Sequence, residues 1–283
     1  MINNTYFEDI EKLRGFLNYQ KESLVYEYRN NMTTCLSATT KERLFSHAKQ
    51  FNWKITSLPK TNPDKVYIIK KENVKYPEIW VSSTYTKYRE AFNKYLINYF
   101  DFQQKIPRNY HVDHSTPKLC FKNNYPEYFI RLFLVDRKVN CSFGATYEKT
   151  FYQFESNNKH IGGFHVSMIE FLKIFGIPLV PKNSNEKERD KWALKTSMQL
   201  EENGLEEWKW HYPGLLDVVY FGYKNLNIDK TIITDLYIEN IHQKHIYDNL
   251  LIRRNSIFTP FLPVLRDIDY QSYSVYFSIY MSK

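Results

Sequence analysis

The chain has 283 residues, enough for one large core or two ordinary ones. Aromatic residues make up 17% of it, which excludes a disordered chain; the three cysteines, Cys35, Cys120 and Cys141, form no Cys-x-x-Cys pair and exclude a disulfide framework or zinc knuckle. A formal charge of +8 favours a polyanionic partner, and no apolar run reaches the roughly 18 residues that a membrane-spanning helix needs.

The first thirteen residues have neither a basic start nor an apolar run, so no secretory signal is read in them. The expected location is the cytoplasm, or a target cell reached without a cleavable signal. Phe7, Ile10, Leu13, Phe16 and Leu17 recur at helical spacing and predict an amphipathic helix continuing toward Tyr26. Thr39 and Glu42 stand three apart, as in a capping box, and predict a second helix with Leu44, Phe45 and Ala48 on one face. The breakers Pro59 to Pro63 then precede a strand at Val66 to Ile69. Two short helices followed by a hairpin could form a winged-helix DNA reader or a small helical cap. The lack of a face rich in arginine or asparagine favours the cap.

Ile79 to Val81 is followed by Ser83, read as the N-cap of a long helix that buries Tyr88, Phe92, Tyr95, Leu96 and Tyr99 and exposes Lys87, Arg89, Glu90 and Lys94. Beyond residue 150, Phe164, Met168, Leu172 and Phe175 predict a helix closed by Gly176 and Pro178. A further helix is predicted from Glu186 to Glu202, with its pattern around Trp192, Leu194, Met198 and Leu200. The segment from Trp208 to Gly214 is aromatic and sharply punctuated, Ile232 to Leu251 reads as partly helical, and Tyr273 to Ile279 is the clearest late strand.

Between these lies the stretch with the most chemistry. Tyr110-His111-Val-Asp113-His114 precedes a loop around Pro126; an apolar run from Leu132 to Val139 then leads to Asn140, 26 residues after His114, and Glu148 follows eight residues later. Phosphodiester hydrolysis needs a base for water and a cation for the developing phosphate charge. Histidine suits the first task at neutral pH, and carboxylate and amide oxygens suit a hard ion such as Mg²⁺. Adjacent strand residues face opposite ways, so Asp113 and His114 converge only at a strand edge or a bend, which Pro117 could force. Asn140 is read near the start of a helix whose two further turns return Glu148 to the same side. His111 shares the strand face of Asp113, as an extra ligand or a supporting group. Cys120 and Cys141 read as apolar fillers. His160, His165, His211, His242 and His245 have no coherent metal-binding spacing.

This order of residues resembles the ββα-metal, or His-Me finger, nuclease superfamily and its HNH branch. The resemblance spans about residues 110–149. It implies His114 as general base, Asp113, Asn140 and Glu148 as metal ligands, and Mg²⁺ as cofactor, with Mn²⁺ as an alternative. It further implies Arg131, Lys149 and Lys118 as phosphate contacts, and cleavage to 5′-phosphate and 3′-hydroxyl ends. The final histidine and paired zinc cysteines of the common HNH form are missing from this chain.

The expected fold is α+β, mainly helical, with a ββα-metal core and additional short strands. Residues 1–82 form a helical, substrate-binding region and 83–180 the catalytic region. Residues 181–283 form an α+β elaboration that could be continuous with the catalytic domain. The expected activity is metal-dependent endonucleolytic cleavage of DNA, with RNA as the other polymer, by a restriction enzyme that could dimerise or by a toxin-like nuclease with an acidic inhibitor protein. No membrane partner is expected. A non-catalytic nucleic-acid-binding protein and a small-molecule phosphodiesterase are the competing classes.

Overall fold

The computed structural model describes residues 4–29, 36–72, 74–115, 127–148 and 168–205, together with Leu215 and Val219. It is a mixed α+β protein. Its helices are α1 (Asn4–Arg29), α2 (Lys41–Gln50), α3 (Tyr88–Phe100), α4 (Arg137–Gly144), α5 (Met168–Phe175) and α6 (Glu186–Glu202). Its strands are β1 (Ser37–Ala38), β2 (Lys54–Ser57), β3 (Val66–Lys70), β4 (Glu78–Ser82), β5 (Tyr110–His114) and β6 (Phe129–Asp136). All the strand pairings are antiparallel, in the order β1-β6-β4-β3-β2, with β5 added against β6.

Two compact units divide the chain and interleave along it. Among the described residues the first holds 4–26, 36–141 and 168–178, and the second holds 27–29, 142–148 and 179–205. The core of the first unit joins Leu13 and Phe16 of α1, Phe92, Tyr95 and Leu96 of α3, and the sheet residues Val66, Ile68, Ile79, Val81, Val112, Leu132 and Leu134. The rings of Phe16 and Phe92 meet edge to face with centroids 5.8 Å apart, the geometry their quadrupoles favour.

β6 is the longest of the described strands, and its partners change along its length. Its first half pairs with β1 and β4, and its second half with β5. Where β4 leaves this ladder, the buried side chain of Gln20 on α1 takes its place: its amide Nε2 donates to the carbonyl of Leu134 at 2.9 Å, and Oε1 accepts from the Leu134 N–H at 2.9 Å. Both backbone groups would otherwise be buried without a strand partner.

Apart from the helix expected to run from Asn140 to Glu148, the expected helices that fall on described residues are found, with three local corrections. α2 is capped by Thr40, whose hydroxyl accepts from the Arg43 N–H, and not by a box of Thr39 and Glu42. A capping box is instead found at α6, where Asn185 and Glu188 bond reciprocally. Ser83 does not cap α3, which starts at Tyr88; its N–H instead donates to the Tyr128 carbonyl at the end of the sheet. α6 has the expected bounds, but it buries Ala193, Thr196, Ser197 and Leu200 and exposes Leu194 and Met198. The expected features at 151–167, 208–214, 232–251 and 273–279 lie outside the described residues. Among the described residues no helix is long and apolar enough to cross a membrane.

Two outcomes follow. Gln20→Ala should destabilise the protein by about 1–3 kcal/mol in urea unfolding, because it strands a buried donor and acceptor on Leu134. The second concerns Glu127, which accepts from Ser82 at 2.6 Å and pairs with Lys65. Partial burial pushes its carboxyl up, but hydrogen bonds and charge from Lys65 and Ser82 outweigh this and hold it below its ordinary value. A depressed carboxylate stabilises the fold above its unfolded pKa and loses that contribution as pH falls through the folded one. Glu127→Gln should therefore cost more stability at pH 7 than at pH 3 in denaturant titrations.

Candidate functional site

The β5–β6 pair sets the site. Its register matches His111 with Val135, Val112 with Leu134, Asp113 with Phe133 and His114 with Leu132. Side chains alternate across a strand, so His111 and Asp113 share one face while Val112 and His114 share the other. The second face is the core: Val112, Leu132 and Leu134 are buried there, and the His114 ring lies against Tyr88 of α3 with centroids 4.4 Å apart and its Nε2 buried.

β6 passes into α4 with no intervening loop. Asp136 makes this possible, since its carboxylate oxygen Oδ1 accepts from the N–H groups of Lys138 at 2.7 Å and Val139 at 3.2 Å and so satisfies the first turn of the helix. Val139 is buried, and Asn140 follows in that first turn. The Asn140 Nδ2 lies 3.3 Å from His111 Nδ1. Its other amide atom, Oδ1, is buried with no hydrogen-bond partner among the described residues.

Burial lowers the pKa of His111, and the neighbouring guanidinium groups of Arg89 and Arg137 lower it further, against the opposing pull of Asp113 and Asp136. The ring is accordingly kept neutral near pH 7, the form that accepts a proton or binds a metal. Arg89 is exposed and anchored by a 2.8 Å hydrogen bond to the Tyr110 carbonyl; Arg137 and Lys138 are exposed at the start of α4.

Asp113 is held by a residue that the sequence reading did not single out. Lys173 of α5 donates to its Oδ2 at 2.5 Å, and Lys173 is only 3% exposed. The signal was present in the sequence Phe171-Leu-Lys-Ile174, where a lysine interrupts a run that is otherwise buried. Such a lysine has to snorkel or find a carboxylate.

Arg131 is inside the sheet and not at a surface that a phosphate can approach. Its Nη1 is 3.0 Å from Glu78 Oε1, and its guanidinium stacks 4.8 Å from the centre of the Phe133 ring. Glu78 also pairs with Lys71 and accepts from Trp80 Nε1 at 2.9 Å. Glu148 belongs to the second unit. It does not share a continuous helix with Asn140, because α4 ends at Gly144 and a turn at Ala145 and Thr146 precedes it. Cys141 is exposed and so is not an apolar filler. Lys118, Lys149, Cys35, Cys120, His160, His165, His211, His242 and His245 lie outside the described residues.

The donor set decides which metal these residues could hold. Among the described residues, no three or more histidine, cysteine, aspartate or glutamate side chains gather as a metal cluster. Zinc needs such a set, whereas Mg²⁺ is held by one or two carboxylates, neutral oxygens and retained waters. Asp113 with the unpartnered Asn140 Oδ1 fits the latter requirement in kind. Comparison with family models, with curated proteins and with solved structures finds no match to this chain.

The Glu78 network gives a further expected outcome. Glu78→Gln leaves Lys71 and Arg131 as buried cations without their shared carboxylate, and should cost about 3–5 kcal/mol in denaturant unfolding.

Proposed function

We propose that this chain is a divalent-metal-dependent endonuclease that hydrolyses DNA at the face shared by His111, Asp113 and Asn140, built on a ββα-metal, HNH-like core. The observation that carries the reading is the order of parts from 110 to 144: an antiparallel strand pair runs directly into a helix, and its first turn brings Asn140 within hydrogen-bond reach of His111 on the Asp113 face. The formal charge of +8 and the exposed Arg89, Arg137 and Lys138 near this face suit a phosphodiester polyanion. Arg89 and Arg137 take the phosphate-contact role that Arg131, buried against Glu78, cannot fill.

Asp113 and Asn140 would hold the ion by their oxygens. A bound Mg²⁺ would supply charge stabilisation at the pentacoordinate phosphate and the leaving 3′ oxygen. The resemblance gives His114, at the end of β5, the task of taking a proton from water. One observation favours a second assignment: His111, not His114, shares the face of Asp113, is kept neutral by burial and two arginines, and is oriented by Asn140. In either case one imidazole of β5 accepts the proton, Asn140 orients His111, and the arginines bind the flanking phosphates.

The test incubates the wild type, His111→Ala, His114→Ala and Asp113→Asn with supercoiled DNA, linear DNA and structured RNA, in Mg²⁺, Mn²⁺ or EDTA. Metal-dependent DNA cleavage should fall by about 10²–10⁴ in the variant that lacks the base, with DNA binding retained. Discrete bands would favour a restriction enzyme, and a smear a toxin-like nuclease. Binding without cleavage by the folded wild type would transfer the function to a nucleic-acid-binding scaffold. Hydrolysis of a small ester alone would make it a phosphodiesterase.

A further inference from the structure

We propose that Lys173 is the resident cation of this site, and that a divalent ion reaches Asp113 only in competition with the Lys173 ammonium. The proposal rests on the reading of Asp113 as a metal ligand, and it concerns how that ligand is regulated.

A lysine on a helix normally extends its ammonium into water along an apolar surface. Lys173 does the reverse. Its side chain is 3% exposed and its ammonium meets Asp113 Oδ2 at 2.5 Å, while the Asp113 side chain is 17% exposed. The pair is therefore asymmetric, with the cation inside and the carboxylate turned partly toward solvent. The neighbours Phe171, Leu172 and Ile174 are buried as well, so α5 has little room to withdraw the ammonium without repacking. An ion arriving at Asp113 from solvent thus meets a carboxylate whose charge is already compensated, and it must settle within a few ångströms of a like charge.

Asn140 supplies the second observation. Its Oδ1 is a buried acceptor with no hydrogen-bond partner among the described residues, on the residue that contacts His111 of the same face. A buried acceptor of this kind is completed by a donor or a cation. The face therefore carries one oxygen already engaged by a cation and another able to receive one. Occupancy by a divalent ion then depends on how far Lys173 is drawn away from Asp113, which a bound phosphate could promote by accepting the ammonium.

The test titrates Mn²⁺ alone into the full-length wild type, Lys173→Met and Asp113→Asn, and follows it by calorimetry and by thermal unfolding. Lys173→Met should bind Mn²⁺ at least about tenfold more tightly than the wild type. Its melting temperature should also rise more on adding Mn²⁺, because the ion replaces the lost partner of Asp113, and Asp113→Asn should abolish both effects. If Lys173→Met fails to fold, Lys173→Gln keeps a donor for Asp113 without the charge and should give the same tightening. Equal or weaker Mn²⁺ affinity in the lysine variants, still lost in Asp113→Asn, would overturn the competition and leave Asp113 as a ligand. No Mn²⁺ binding by any folded variant would overturn both the competition and the metal reading beneath it.

Discussion

The register between β5 and β6 is the constraint on which the site depends. A strand presents alternate residues to opposite faces, so a slip of one residue would carry His111 and Asp113 into the core and turn Val112 and His114 outward. The apolar partners prevent that slip: Val112, Leu132 and Leu134 belong to one buried cluster with residues of α1 and α3. Gln20 adds a polar lock by bonding both backbone groups of Leu134 from α1. Packing on one side of the sheet thereby decides which chemical groups meet on the other.

The polar side of the sheet is organised by charges that compensate one another. Glu78 lies with Lys71 and Arg131, and Asp113 lies with Lys173. The two clusters differ in exposure, and exposure separates their roles. The Glu78 group is sealed, with its side chains at 5% exposed or less, and specifies how β4 and β6 pack. Asp113 opens partly to solvent, with its side chain 17% exposed, and this is where the proposal places an incoming ion.

Much of this fold was legible because it follows from local periodicity. α3 and the strands β3 and β4 announce themselves by apolar spacing, and Asn140 was expected near a helix start. What escaped was decided by tertiary partners. Arg131 looked like a phosphate contact because its sequence neighbourhood does not reveal Glu78, more than fifty residues earlier. Lys173 was passed over because a single lysine in an apolar helix acquires meaning only when α5 packs against β6 and delivers it to Asp113. The separation of Glu148 from the helix of Asn140 had a local cause: Gly144 and the turn after it end α4 early. The cap at Asp136 has a local signal of its own, an aspartate between an apolar strand and the basic start of a helix.

The most direct measurement of the central claim is an X-ray anomalous difference map from crystals of the protein soaked in Mn²⁺. The account predicts a manganese peak at the Asp113 carboxylate on the His111 and Asn140 face, with Lys173 drawn back from Oδ2. A manganese peak elsewhere on a chain that cleaves DNA, with the Asp113–Lys173 pair intact, would contradict it.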